Sequence, residues 1–134
     1  MITVETTVSV PIEIAWQKWN NLADISQWAF AGEDWAAEGL QNDLMPGGKL
    51  LIRTFARDGS ESFTYGGVYN TVVENQLIEY TMDDGRNVKI TFEPIEGSTK
   101  ITEQFDSEDE NSEEIQRQGW QMTLNNFKRH AEAQ

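Results

Sequence analysis

The chain has no cysteine and a single histidine, His130, among its 134 residues. The lack of cysteine excludes disulfides, thiolate nucleophiles and cysteine-ligated metal centres. One histidine excludes a metal site built from several histidines, and it leaves a Ser-His-Asp triad without further support. We therefore expect no catalytic residues of these kinds, no metal and no cofactor, and the absence of cysteine fits a cytoplasmic protein.

Basic residues are also scarce, with 10 Lys and Arg against 23 Asp and Glu, for a net charge of −13. Nucleic acids and anionic membrane surfaces attract basic patches, so we expect neither as a partner. No apolar run is long enough to cross a bilayer, and the amino terminus has no signal-peptide pattern. The acidic charge favours solubility, and a chaperone or another basic protein is the functional alternative.

Two kinds of binding loop are missing as well. Neither G-x-x-x-x-G-K-[ST] nor G-x-G-x-x-G occurs, so nucleotide binding has no support. The acidic run 106–114 lacks the central glycine and the alternating oxygen ligands of a calcium loop, and it is predicted to be a solvated linker.

Aromatic residues are plentiful: the chain has five Trp, six Phe and three Tyr. Each such ring buries roughly 150–250 Å². In an otherwise polar chain these residues must dominate the core or line a pocket.

The periodicity predicts an α+β fold. Residues 2–10 alternate as a strand, and two short helices follow, one starting at Pro11 and one with Asp24 as its N-cap. Residues 31–39 look irregular, with a second strand starting near Trp35. Hairpin turns and alternating segments then predict a meander over residues 49–57, 62–73, 76–82, 87–92 and 99–105, in which two adjacent glycines, at 66 and 67, mark a bulge, a bend or a close approach.

The last helix carries Gly119-Trp120 in mid-span. Asn111 with Glu114 resembles a capping box at its start, and an apolar stripe then runs along one face: Trp120, Leu124, Phe127 and Ala131. Glycine costs about 1 kcal/mol in a helix interior relative to alanine. We therefore expect Gly119 either to let the helix backbone come close to the sheet or to leave room beside it, with Trp120 forming part of a cavity wall.

Several segments, in this order and spacing, resemble the START-like helix-grip superfamily (SRPBCC), within it the AHSA-type group related to the activator of the heat-shock-protein-90 ATPase. They are Pro11, Trp16, Trp19, Trp28, Pro46-Gly47-Gly48, 67–73, 78–82, 99–102, Gly119-Trp120 and Leu124. The resemblance covers essentially the whole chain, which we expect to be a single domain, 1–134. It implies a curved antiparallel sheet of about six or seven strands wrapped around a long C-terminal helix, and a generic hydrophobic cavity.

The predicted cavity lining combines aromatic residues with one possible ion pair. It comprises Trp19, Trp28, Arg53, Phe55, Phe63, Tyr65, Tyr80, Phe92, Glu103, Phe105, Trp120 and Leu124. The alternative is that the aromatic residues fill a solid core. Arg53 and Glu103 form an inward pair if their strands have the expected register, and they face water if the register is opposite.

Three functions follow as hypotheses. The leading one is non-enzymatic binding of an apolar or amphipathic small molecule between the sheet and the last helix. The second is a co-chaperone-like interaction module, and the third is a cofactor-free cyclase or hydrolase that uses Glu103, Arg53 or a pocket tyrosine. In each case we expect a monomer or a weak homodimer.

Overall fold

The computed structural model describes residues 1–133, which form seven strands and three helices. The elements, in chain order, are β1 (Ile2–Val8), α1 (Ile12–Asn20), α2 (Leu22–Trp28), β2 (Trp35–Asn42), β3 (Lys49–Ala56), β4 (Ser62–Val73), β5 (Leu77–Met82), β6 (Asn87–Ile95), β7 (Ser98–Phe105) and α3 (Glu113–Glu132). The predicted start of a second strand near Trp35 is confirmed: residues 31–34 are irregular, and β2 pairs with β3 from Trp35 onwards.

All strands belong to one antiparallel sheet with the order β1-β7-β6-β5-β4-β3-β2. Strands β2 to β7 form a meander, and β1 joins its far edge by pairing with β7 from Ile2–Phe105 to Val8–Thr99. The sheet curls around α3, so the predicted α+β helix-grip fold is confirmed. Within residues 1–133, no helix is both long and apolar enough to span a membrane.

The glycine pair of β4 permits close strand packing. A Cβ on Gly66 would lie 1.9 Å from the Leu50 carbonyl oxygen of β3, and a Cβ on Gly67 would lie 2.2 Å from the Thr81 carbonyl oxygen of β5. The predicted close approach at these two positions is therefore confirmed.

Both predicted N-caps are displaced. Asn21 caps α2, because its extended backbone lets the side chain accept a hydrogen bond from the Ala23 N–H at 3.0 Å. Asp24 lies inside the first turn instead, where its Oδ1 lies 2.8 Å from Nε2 of His130. Ser112, not Asn111, caps α3 by accepting from the Ile115 N–H at 3.2 Å.

Helix α3 packs on the sheet through its buried residues Leu124, Phe127 and Ala131. Polar contacts tie the same helix to the edge strand β1. Lys128 donates a hydrogen bond to the Thr7 carbonyl at 2.6 Å, and Gln121 donates one to the Glu5 carbonyl at 3.2 Å. These contacts hold one side of α3, whereas its other side faces an open space beside β3, β4 and β5.

Candidate functional site

The space between the sheet and the helices is a cavity of about 820 Å³. The inward faces of β3 to β7 line one side, and residues of α1, α2 and α3 line the other. This volume lies within the range of about 300–1,000 Å³ that is typical of small-molecule sites. Some of the aromatic residues therefore line a cavity, while others fill the core behind it.

Seven of the twelve residues predicted for the lining do contact the cavity: Trp19, Trp28, Phe63, Tyr65, Tyr80, Glu103 and Trp120. Three others are buried in the hydrophobic core behind it. Phe92 packs edge-on against Trp16 and Trp19, Phe105 lies beneath Trp120, and Leu124 is fully buried. Sequence periodicity places a residue on the inner face but does not distinguish the cavity wall from the core.

The remaining two, Arg53 and Phe55, lie on the outer face of β3, so their inward placement was wrong. The Arg53 guanidinium lies 4.4 Å from the centre of the Phe55 ring, and it pairs with Glu38 at 3.8 Å. The physical reason is the register of β3 with β4, in which Ile52 lies opposite Tyr65. Ile52 therefore faces the cavity, and the predicted pair of Arg53 with Glu103 does not form.

One end of the cavity is closed by an aromatic cluster. Trp19 and Trp28 lie with ring centroids 4.6 Å apart, and the Phe127 ring packs edge-on against both at 4.8 and 5.0 Å. These three rings come from α1, α2 and α3. They join the three helices, and Trp19 and Trp28 give the cavity an apolar wall.

Glu103 is a buried carboxyl group within this apolar setting. Its residue is 5% exposed, it lies on β7 between Val4 of β1 and Ile90 of β6, and it contacts the cavity. Within residues 1–133, no hydrogen bond or ion pair contributes to the pKa of its carboxyl group, and the carboxyl oxygens are open to the cavity rather than fully enclosed. Because burial disfavours the charged form, the pKa of Glu103 rises from 4.5 to about 8.

Two tyrosines face the same part of the cavity. Burial, together with the charge of Glu103, raises the pKa of both Tyr65 and Tyr80 above its ordinary value. Tyr69 lies beside them, and its hydroxyl donates to Oδ1 of Asn42 at 2.5 Å. Tyr65, Tyr80 and Glu103 are called the Glu103 cluster below, since they bring polar groups to an otherwise apolar wall.

The cavity opens to solvent between β4 and the start of α3. Phe63 and Ile115 both line it, although they are 56% and 59% exposed. Trp35 of β2 stacks on Phe63 at 5.9 Å and extends this apolar rim. An amphipathic molecule that enters here meets apolar side chains first and the Glu103 cluster deeper inside.

Sequence reasoning missed one row of α3. Ile115, Gly119 and Thr123 lie at i, i+4 and i+8, and all three line the cavity. This row runs beside the buried stripe that begins at Trp120. The apolar residue Ile115 lies outside that stripe, and it was the signal in the sequence that could have indicated a second cavity-facing row.

Of the two roles expected for Gly119, the close approach was wrong and the leaving of room is what the structure has. Nothing lies within 4 Å of a Cβ built at Gly119, so the glycine serves no close approach to the sheet. It instead leaves open space at the edge of the cavity. Trp120 does form part of the cavity wall, as expected.

Comparison with known proteins places the chain in a structural family. Residues 9–132 match the family described as activator of Hsp90 ATPase homolog 1-like protein. The solution structure of an AHSA1-like protein from Aeromonas hydrophila is similar, with 33% identity, a TM-score of 0.89, and 98% of this chain and 92% of that chain covered. A protein from Cytophaga hutchinsonii has 47% identity and a TM-score of 0.83, with 98% and 91% covered.

A third relative shares the fold alone. The crystal structure of a protein from Chromobacterium violaceum has 22% identity and a TM-score of 0.85, over 99% of this chain and 98% of that chain. No protein with a curated description matches the sequence.

Proposed function

Since this chain belongs to the family of activator of Hsp90 ATPase homolog 1-like proteins, we propose that it uses the helix-grip cavity to bind an apolar or amphipathic small molecule. The observation that carries the proposal is a space of about 820 Å³ with aromatic walls and an exposed apolar rim. A site of this kind gains affinity from apolar burial, and its few polar groups orient the ligand. The proposal includes a cytoplasmic location, with which a chain lacking cysteine is compatible.

The rim supports entry from water. Phe63 and Ile115 are exposed apolar residues on two different elements that meet at the cavity mouth. Exposed apolar residues that adjoin a cavity are typical of ligand-binding grooves. A ligand that covers them removes apolar surface from water in addition to the surface that it buries inside.

The test uses N-phenyl-1-naphthylamine, an apolar dye that fluoresces when it leaves water. We expect it to bind the protein and to quench the emission of Trp19, Trp28 and Trp120, which line the cavity. Gly119→Leu places a side chain in the open space at the cavity edge, so it should weaken dye binding by about tenfold or more. Gln118→Leu, at the neighbouring exposed position of α3, is the matched control and should leave dye binding unchanged.

Far-UV circular dichroism confirms that both variants are folded before their affinities are compared. Absence of dye binding to the unmodified protein would contradict the proposal. Equal binding to the unmodified protein and to Gly119→Leu would place the dye outside the cavity, and that result also counts against it.

A second candidate function is a co-chaperone-like interaction with a basic protein. The family description and the net charge of −13 favour it. A basic partner would be steered by this charge, and its association rate should fall as salt rises. Surface plasmon resonance with a purified Hsp90-type chaperone at low and high salt tests this candidate, and no binding at low salt would reject it.

A further inference from the structure

The charged groups that line the cavity are unequally satisfied. Glu103 and Arg86 are the only acidic and basic side chains in the lining within residues 1–133. Arg86 is already held by Asp84: its Nε donates to Oδ2 at 2.8 Å, and its backbone N–H donates to Oδ1 at 3.1 Å. Glu103 has no such partner within residues 1–133. Within residues 1–133, the charged group of the cavity that no protein side chain pairs with is therefore an acid, and its oxygens are open to the cavity.

Aromatic side chains share the cavity with this acid. Tyr65 and Tyr80 lie close enough for the charge of Glu103 to raise their pKa values, and Trp120 lines the cavity above its stack on Phe105. Aromatic faces attract cations, and the attraction grows when water is excluded. A cation bound here can therefore interact favourably both with the Glu103 carboxylate and with the neighbouring aromatic rings.

We propose that the cavity selects amphipathic organic cations, in which a protonated nitrogen on an apolar body donates its hydrogen bonds to the Glu103 carboxylate. This inference rests on the small-molecule binding proposed above and specifies the ligand class. A buried charge needs an opposite charge and hydrogen bonds to offset its lost hydration, and a protonated nitrogen supplies both to Glu103. The net charge of −13 further favours the approach of cations and opposes that of anions.

Binding of a cation also moves a proton. The pKa of Glu103 is about 8, so the carboxyl group holds its proton at neutral pH. An alkylammonium group titrates near the pKa of lysine, about 10.4, and stays charged. The bound pair is therefore ammonium with carboxylate, and Glu103 releases its proton to solvent when the cation binds.

Affinity for the cation should accordingly rise with pH until Glu103 is ionised in the free protein, and then level off. The other titratable groups that line the cavity are Tyr65 and Tyr69 of β4, Tyr80 of β5, and Arg86 in the turn just before β6. Raised tyrosine pKa values keep these hydroxyls neutral throughout the range. Helices α1, α2 and α3 contribute no titratable side chain to the lining within residues 1–133.

The experiment compares three probes of equal chain length: decylamine, 1-decanol and decanoate, each measured by isothermal titration calorimetry below its aggregation limit. We expect decylamine, bound as decylammonium, to bind about tenfold or more tightly than decanol, and decanoate to bind most weakly. Titration of decylamine in buffers of different ionisation enthalpy should reveal proton release near neutral pH. The affinity of decanol should not rise with pH.

Glu103→Gln keeps the size of the side chain and removes its charge. It should abolish the preference for decylamine and retain the binding of decanol. Glu38→Gln is the matched control, because it makes the same change of charge on the outer face of the sheet, where Glu38 is exposed. It should leave the order of the three probes unchanged.

The outcomes separate the two proposals. If no probe binds, the proposed small-molecule function fails, and this inference fails with it. If the three probes bind equally, or if decanoate binds best, cavity binding stands and selection of cations is rejected. Should Glu103→Gln fail to fold, the unmodified protein provides the test. If its affinity for decylamine does not rise with pH and binding releases no proton, the inference is rejected.

Discussion

Trp120 stacks on Phe105 with ring centroids 3.8 Å apart and ring planes inclined by 12°. The stack joins the middle of α3 to the last residue of β7. Aromatic pairs contribute about 0.5–1.5 kcal/mol beyond the area that they bury. Trp120 is therefore both an anchor of the closing helix and part of the cavity wall.

Trp120→Ala removes this anchor, and we expect it to lower the free energy of unfolding by about 2–4 kcal/mol. Trp35→Ala is the comparison, since Trp35 stacks on the exposed Phe63 at the rim, and it should cost about 1 kcal/mol. Urea unfolding followed by far-UV circular dichroism measures both changes. Equal losses in the two variants would mean that the stack on Phe105 does not anchor α3.

Alanine substitutions at two glycines should change the stability of the protein in opposite directions. Gly119→Ala meets no atom within 4 Å, so it should stabilise the protein by up to about 1 kcal/mol through helix propensity. Gly66→Ala puts a Cβ 1.9 Å from the Leu50 carbonyl oxygen, so β3 and β4 must separate and stability should fall by about 2 kcal/mol or more. Thermal unfolding of the two variants checks both signs, and a loss of stability in Gly119→Ala would restore the packing role first expected for that glycine.

The order of the elements follows from the sequence because its signals are local. Alternating strands separated by Asp58-Gly59 and Asp84-Gly85 leave few alternatives to a meander, and a long amphipathic segment then has to cover it. The caps were harder to place, since Asn21 and Asp24, like Asn111 and Ser112, are all good capping residues. The residue whose backbone is extended just before the helix becomes the cap, and the type of residue does not reveal which one that is.

The site was less predictable for a different reason. Leu50, Leu51 and Ile52 are apolar in succession, so β3 has no alternation that fixes which face is inward. The pairing of Ile52 with Tyr65 decides the face, and this contact is not local in sequence. Glu103 was placed correctly because Ile101 and Phe105 flank it on a strand that does alternate.

The outward position of Arg53 predicts that its removal matters little. Arg53→Ala breaks an exposed pair with Glu38 and a contact with the Phe55 ring, so stability should change by about 1 kcal/mol or less. Binding of the naphthylamine dye should be unaffected. Ile52→Ala, one position earlier, should cost about 2–4 kcal/mol and change dye binding, because Ile52 is buried and lines the cavity. Urea unfolding and a dye titration test both variants. If Arg53→Ala lost more stability and dye binding than Ile52→Ala, the inward placement of Arg53 first expected would be correct.

Glu103 predicts that the stability of the protein depends on pH between about 4.5 and 8. Its carboxyl group has a pKa of about 8 when folded and an ordinary value of 4.5, so between these values the folded state holds a proton that the unfolded state has lost. The unfolded state therefore binds fewer protons, and stability falls as pH rises. The favourable contribution of the neutral group is complete below about pH 4.5 and gone above about pH 8.

Glu103→Gln is neutral at every pH, so it should remove this dependence. Each pKa unit corresponds to about 1.4 kcal/mol, so the variant should be more stable than the unmodified protein by a few kcal/mol above pH 8 and nearly equal to it at low pH. Urea unfolding across the range measures the difference, with Glu38→Gln as the exposed control that should show a flat difference. If Glu103→Gln also gives a flat difference, Glu103 is ionised in the folded protein and its carboxylate is solvated within the cavity. Water that fills the cavity would then be the first thing that a ligand displaces.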